Sequence, residues 1–389
     1  MKLIVTMAAH LPILFSLLSV GALGAESAES NRSRAIVAKV EEIRKNNEIP
    51  AVAFGVIKDG KIVLQGALGI RRLGTDDPVE TQDRFHIGSN TKSVTAFIAG
   101  RLVDQKKLSW GTRFFDLFPD LRTNSHAGFH NMTLSELLRH RCGLTSFKGG
   151  NQWRTIEEAR ARFHPANQTE LKVAVARHAL MQAPAVLTKE KPSLYSNLGY
   201  LLAAMMLERV SGKTYEELIE QLNEDLKLDF RIGWPRLHGA DQPAGHIIPV
   251  QQGFGDRTTL GPMPEDIEAW QPWRDWVSLC RPAGDLCVSV ADFLRFLNLT
   301  MRGLYDEAVP LKPATSREIL RGQMGWGSYV ENGIHFYDAA GSLCTFNSIA
   351  IIFEEPKVGI VVMINTGNYR SLKAMYEIKR LLEDEFARP

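Results

Sequence analysis

Apolar residues recur along this chain with two periods, and the switches between them mark out its elements. Ile36, Val37, Val40 and Ile43 follow helical spacing and predict an amphipathic helix over residues 34–46. Two aliphatic runs, 51–57 and 61–68, flank Lys58-Asp59-Gly60, and the Asp-Gly pair predicts a hairpin turn between two strands. The middle of the chain turns helical in pattern, over 89–104, 133–140 and 199–210, the last stopped by Ser211-Gly212. From 234 to 282 the periodicity fades while Pro, Gly and four tryptophans (Trp234, Trp270, Trp273, Trp276) accumulate. That stretch predicts a long ordered loop whose aromatic rings line a pocket or cap the core. Strands return over 333–337, 347–353 and 358–365, with a turn at 354–357, and a helix closes the chain over 371–386. A helix, a hairpin, a helical middle, then strands again describe an α+β frame. It is a layered sheet with a terminal helix packed on it and a helical insertion roughly over 105–290.

One apolar run lies outside this frame. Residues 3–23 are strongly apolar, Lys2 precedes them, and Ala22, Gly24 and Ala25 are small residues suited to cleavage, so 1–25 reads as a signal peptide. Pro12 and Gly21 interrupt the run, which argues against a spanning anchor. No later stretch is long and apolar enough to cross a bilayer. The expectation is a secreted or periplasmic protein whose single domain covers 33–389, with no transmembrane segment after cleavage. Composition adds little beyond exclusions: 389 residues, 44% hydrophobic, with 46 Lys plus Arg against 44 Asp plus Glu, exclude collagen-like, disordered and polytopic membrane classes. A net charge of +2 offers no basic field for nucleic acid. Export would also permit disulfides. Cys142, Cys280, Cys287 and Cys344 form an even set, expected to contain a disulfide in one of three pairings, with buried thiols as the alternative. There is no C-x-x-C pair and no H-E-x-x-H, so nothing points to zinc.

Candidate chemistry begins at Phe85-His86-Ile87-Gly88-Ser89-Asn90-Thr91-Lys92. Ser89 stands where a helix should start and Lys92 one turn on, which puts both side chains on one face. A serine hydroxyl needs a neighbouring base to become a nucleophile, and an amine kept neutral by burial or by another cation can accept its proton. The helix N-terminus offers backbone N–H groups to an oxyanion. Alone the pair is weak, since an N-cap serine beside a solvated lysine has the same spacing. Tyr195-Ser196-Asn197 before the helix over 199–210 adds a second element. From there Tyr195 can shuttle a proton for Ser89, and Asn197 can hydrogen-bond Lys92 and the carbonyl side of a substrate.

Ser89-x-x-Lys92 together with Tyr195-x-Asn197 resembles the serine β-lactamase and penicillin-binding-protein superfamily, in particular its branch of class C β-lactamases, D-alanyl-D-alanine carboxypeptidases and family VIII esterases. The resemblance runs over roughly 42–382. It takes in Leu137-Leu138-Arg139-His140-Arg141-Cys142-Gly143-Leu144, Pro282-Ala283-Gly284-Asp285-Leu286 and Met324-Gly325-Trp326 in order. It implies an antiparallel sheet flanked by N- and C-terminal helices, a mostly helical second region, and an active site between them. It further implies an acyl-enzyme mechanism with no metal or cofactor. Ser89 would attack, Lys92 and Tyr195 would share the base role, and the oxyanion would sit between the N–H groups of Ser89 and of an edge-strand residue.

The third motif departs from the resemblance. Aligned on Phe346, the family's cation, hydroxyl and glycine fall on Ala339-Ala340-Gly341, where only the glycine remains. Gly341 would let a substrate approach the strand, and Ser342 would supply the second oxyanion N–H. The groups that hold a substrate carboxylate are missing, with Arg281 and Lys148 as the candidate replacements. The sequence thus supports a serine hydrolase acting on a small-molecule ester, an amide or a peptidoglycan-like substrate. A catalytically weak cell-envelope binding protein is the alternative.

Overall fold

The computed structural model describes residues 25–148, 150–247, 261–262, 271–305 and 310–388. All but the last residue of the 1–25 segment, and Trp270, lie outside the described residues. The first helix, Ala25–Asn46, leads into the hairpin Ala51–Lys58 and Lys61–Gly69. At its turn Asp59 and Gly60 both adopt positive φ (46° and 79°), the backbone that matches strand twist and that Asp-Gly tolerates. Six antiparallel strands form the main sheet, in the spatial order Lys61–Gly69, Ala51–Lys58, Val358–Ile364, Phe346–Phe353, Ile334–Leu343, Gly327–Glu331.

The period-2 pattern decides what each face touches. Val52, Phe54, Ile351 and Ile360 bury one face under the first helix and the last, Tyr369–Phe386, through Val40, Ile378 and Leu382. Ala53, Ala350, Val361 and Met363 point the other way, into the larger core with Leu294 and Leu297 of helix Val290–Arg302. Beyond that core lie the helices Thr91–Asp104, Leu134–Leu138, Asn151–Phe163, Gln168–Met181, Asn197–Ser211 and Tyr215–Leu226. Thr91–Asp104 is buried on nearly every side and forms the seam between sheet and helical region. No helix among the described residues is long and apolar enough to cross a membrane.

Three expectations need correction. Within the predicted loop, Gln271–Gly284 is a helix. Trp273, Trp276, Leu279, Cys280 and Ala283 are its buried face, a helical spacing masked by Pro272, in the first turn where proline is tolerated, and by Pro282, inside the helix near its end, where it cannot donate to the i−4 carbonyl. Trp273 and Trp276 pack together and against Trp153, while Trp234 lies against His86. In the C-terminal sheet, Gly327–Glu331 was not predicted and Ile334–Leu343 runs on past residue 337. The outer strand exposes Tyr329 and Val330, so it carries no apolar alternation to read. Finally, all four cysteines are free thiols. They sit on four different elements: the loop after Leu134–Leu138, helix Gln271–Gly284, strand Leu286–Ser289, and the tip of the hairpin before Phe346. Burial pushes the thiols of Cys280 and Cys287 up, away from the reactive thiolate.

Candidate active site

Ser89 occupies the short 3-10 turn Gly88–Asn90 that opens helix Thr91–Asp104. The turn is fastened from several sides. Gly88 N–H donates to His86 Nδ1 (3.1 Å), and Thr91 Oγ1 donates to Gly88 O (2.7 Å). Ser348 Oγ donates to Ile87 O and accepts from Asn90 Nδ2, both at 2.7 Å, which ties the turn to strand Phe346–Phe353. His86 reaches Asp285 at 3.4 Å on its far side, and burial raises the Asp285 carboxyl. His86 thus braces the Ser89 turn from behind.

Around Ser89 the sequence-predicted residues converge. Its Oγ lies 2.6 Å from Tyr195 Oη and 3.3 Å from Lys92 Nζ. Lys92, only 3% exposed, donates also to Asn197 Oδ1 (2.9 Å) and to Ala283 O (2.5 Å). Those three acceptors fix the ammonium beside the hydroxyl, 4.6 Å from the Tyr195 ring centroid. Asn197 is held in turn by its Nδ2 to Phe147 O (3.4 Å). Burial alone would raise the Tyr195 phenol. The charge and hydrogen bond of Lys92, the Ser89 hydroxyl and the charge of Lys148 outweigh that and bring it below its ordinary value.

The opposite wall is a sheet edge. Gly327–Glu331 pairs with Ile334–Leu343 only as far as Asp338, so beyond that residue the strand has no partner strand on this side among the described residues. Its open backbone groups face the Ser89 turn. Gly341 permits the contact: a Cβ there would stand 1.8 Å from Ile87 O, and one on Gly88, at φ +50°, would stand 2.5 Å from Ser342 N. The close approach that Gly341 allows is that of the Ser89 turn, and Gly341 lines the cleft as well. It sets the backbone of Ser342 against the Ser89 turn, and both serines lie on one rim of the cleft. Ala339 points into the core, at 7% exposure, whereas Ala340 and Ser342 line the cleft.

The cleft has a volume of about 700 Å³ and is lined by Ser89, Tyr195, Asn197, Ala340, Gly341 and Ser342, with Trp276, Leu372, Met375 and Tyr376 among its apolar surfaces. Lys148 lines it as well, with Nζ 4.5 Å from the Tyr195 ring centroid. Arg281 does not. Its guanidinium pairs with Glu216 on another face. Sequence reasoning missed Ala283, Asn90 and Ser348. Ala283 acts through a backbone carbonyl, which no side-chain pattern reveals, and Ser348 is buried in a strand that is apolar from Ile349 onward.

His140 supports Tyr195. Its ring centroid lies 4.7 Å from that of Tyr195, and Nδ1 accepts the Ser196 N–H at 3.1 Å. Burial, then the Lys92 charge, push His140 down to about 3. His246, fully buried, accepts Leu73 N–H and bonds Asn365 O, and burial brings it down to about 4. Both folded values lie below the unfolded value of about 6.5, so the unfolded chain binds more protons below that pH. Their contribution is intact above pH 6.5 and lost as pH falls. Stability measured by urea denaturation should drop between pH 6.5 and 5 with a slope that grows from about one proton to nearly two, about 1.4 rising to about 2.5 kcal/mol per pH unit. His246→Gln should remove about one proton from that slope; a stability flat across the window would contradict the assignment.

Fold and cleft together define an α+β protein with a Ser–Lys–Tyr cluster set between a sheet edge and a helical region. The chain belongs to the beta-lactamase family, whose model matches residues 36–382. It is 23% identical over 383 residues to the unguisins hydrolase ungD of Aspergillus violaceofuscus, covering 90% of this chain and 64% of that longer protein. It is 21% identical to penicillin-binding protein 4 of Amycolatopsis lactamdurans, over 90% of this chain and 89% of that one. Among solved structures, the class C beta lactamase from Rhodobacter sphaeroides superposes with a TM-score of 0.66 at 18% identity, covering 90% of this chain and 99% of that one. The D-amino acid amidase from Ochrobactrum anthropi SV3 gives 0.66 at 19%, covering 89% and 97%. At those identities the two structures share its fold.

Proposed function

We propose that this chain is a serine hydrolase that transfers the acyl group of an ester or amide first to Ser89 and then to water. The observation that carries the reading is the double contact on Ser89 Oγ, from Tyr195 Oη at 2.6 Å and Lys92 Nζ at 3.3 Å. Ser89 Oγ attacks the carbonyl carbon as its proton passes to the Tyr195–Lys92 pair. The oxyanion lies between the N–H groups of Ser89 and Ser342. The C–O or C–N bond then breaks, and the leaving group takes the proton back from the pair. Water, activated by Tyr195, attacks the acyl-enzyme, and Ser89 recovers its proton.

Residues 33–389 form the hydrolase domain in this reading, exported to the periplasm or medium after removal of 1–25. Hydrolysis draws support from its likeness to a hydrolase, and amide cleavage from its likeness to an amidase. The substrate is a small ester, amide or peptidoglycan-like molecule, with no nucleic acid partner. Ala340 gives a β-lactam carboxylate nothing to bind on the sheet wall, so a chromogenic cephalosporin should turn over more slowly than short-chain p-nitrophenyl esters, with D-amino acid amides as the third class to compare. A panel of these three on purified protein tests the reading. Hydrolysis should fall at least about 10³-fold in Ser89→Ala. Hydrolysis that survives that substitution, or ligand binding without any turnover, would overturn it.

A further inference from the structure

The cleft carries an unanswered charge. Its described lining includes Lys148 and no acidic side chain, and no carboxylate pairs with Lys148 among the described residues. The loop that holds it is anchored, since Lys148 N–H donates to Asn151 Oδ1 at 2.9 Å. The ammonium rests near the face of the Tyr195 ring, a contact that favours one position for an otherwise flexible side chain. The ring's hydroxyl in turn touches Ser89 Oγ. Across the cleft stand the methyl of Ala340 and, on the last helix, Leu372, Met375 and Tyr376. One wall is cationic; the other carries no charge and mixes these apolar groups with the polar side chains of Ser342, Asn347 and Asn368.

We propose that Lys148 receives a carboxylate of the substrate on the helical wall beside Tyr195, so that the enzyme prefers acyl compounds bearing an anionic group there and an apolar portion against the sheet edge and last helix. This rests on the hydrolase reading above. It reverses the side on which an anion would be held had Ala339 and Ala340 been a cation and a hydroxyl. A carboxylate entering a partly apolar cleft loses water, and an ammonium with no competing counter-charge is the partner that offsets this.

Matched esters test it. One pair carries the charge on the acyl part, p-nitrophenyl hemiglutarate against p-nitrophenyl valerate. The other carries it on the leaving group, 4-carboxyphenyl acetate against 4-carbamoylphenyl acetate. The readout is the ratio of kcat/KM, anionic over neutral, within each pair. Any influence of Lys148 on Tyr195 acts on both members and cancels. The ratio in Lys148→Met should fall at least about tenfold in one pair, chiefly through KM, and Lys148→Arg should restore most of it. Ratios unchanged in both pairs overturn the proposal. A fluorophosphonate labelling arm separates the two readings: labelling of Ser89 with unchanged ratios removes only the role of Lys148, whereas absent labelling and absent turnover remove the hydrolase reading and this inference with it.

Discussion

Lys92→Met should lower kcat/KM for every substrate by about 10³-fold or more, equivalent to about 4 kcal/mol of transition-state stabilisation, while the protein stays folded. Met is close to lysine in length and fills the same buried space, so the effect isolates the amine. Without it, Ser89 Oγ loses one of its two proton-handling contacts, and Tyr195 loses the charge that contributes most to lowering its phenol. Stability should change by less than about 2 kcal/mol, because relief from desolvating a buried ammonium offsets two acceptors, Asn197 Oδ1 and Ala283 O, left without their donor. The pH profile should change with the rate. In the wild type the rising limb follows a Tyr195 pKa below the ordinary phenol value, and in Lys92→Met it should move to higher pH. Activity within tenfold of wild type would remove Lys92 from the chemistry.

Gly341→Ala should damage stability and rate together. Its Cβ would meet three backbone atoms of the Ser89 turn, Ile87 O at 1.8 Å and Asn90 N and Ile87 C at 2.9 Å, none of which can rotate away as a side chain can. The strand and the turn must separate, and the N–H of Ser342 moves off the rim it shares with Ser89. We expect a loss of about 2–4 kcal/mol in stability and at least about 10²-fold in kcat. The control is Gly111→Ala, where the added Cβ meets only Ser109 Oγ at 4.0 Å; it should be neutral or slightly stabilising. If Gly341→Ala matched the control in melting temperature and rate, the strand edge would not be part of the site.

Much of this arrangement is written locally in the chain. The Asp59-Gly60 hairpin, the terminal helices and the strand pair 347–353 and 358–365 are legible because alternation and helical spacing reflect one buried face each. The pairs Ser89/Lys92 and Tyr195/Asn197 are legible because each places two polar side chains on one turn. What joins the two pairs is not: 106 residues separate Ser89 from Tyr195, and their contact depends on how Thr91–Asp104 and Asn197–Ser211 pack. The carbonyl of Ala283 and the Ser348 bridge to Ile87 arise only once the sheet edge and the helical region meet. Gly341 could be aligned by motif, but its neighbour, the Ile87 carbonyl, lies across the seam. Helix Gln271–Gly284 stayed hidden because its apolar face is built from tryptophans and framed by prolines. Lys148 is an ordinary loop lysine until Tyr195 is folded beneath it.

The most direct test of the central claim is the covalent intermediate itself. Purified protein is mixed with a p-nitrophenyl ester, quenched in acid during turnover, and examined by intact-mass and peptide-level mass spectrometry. An acyl mass increment on the peptide containing Ser89, absent in Ser89→Ala, is the predicted result. Continued ester hydrolysis with no adduct, or with the adduct on another residue, would contradict it.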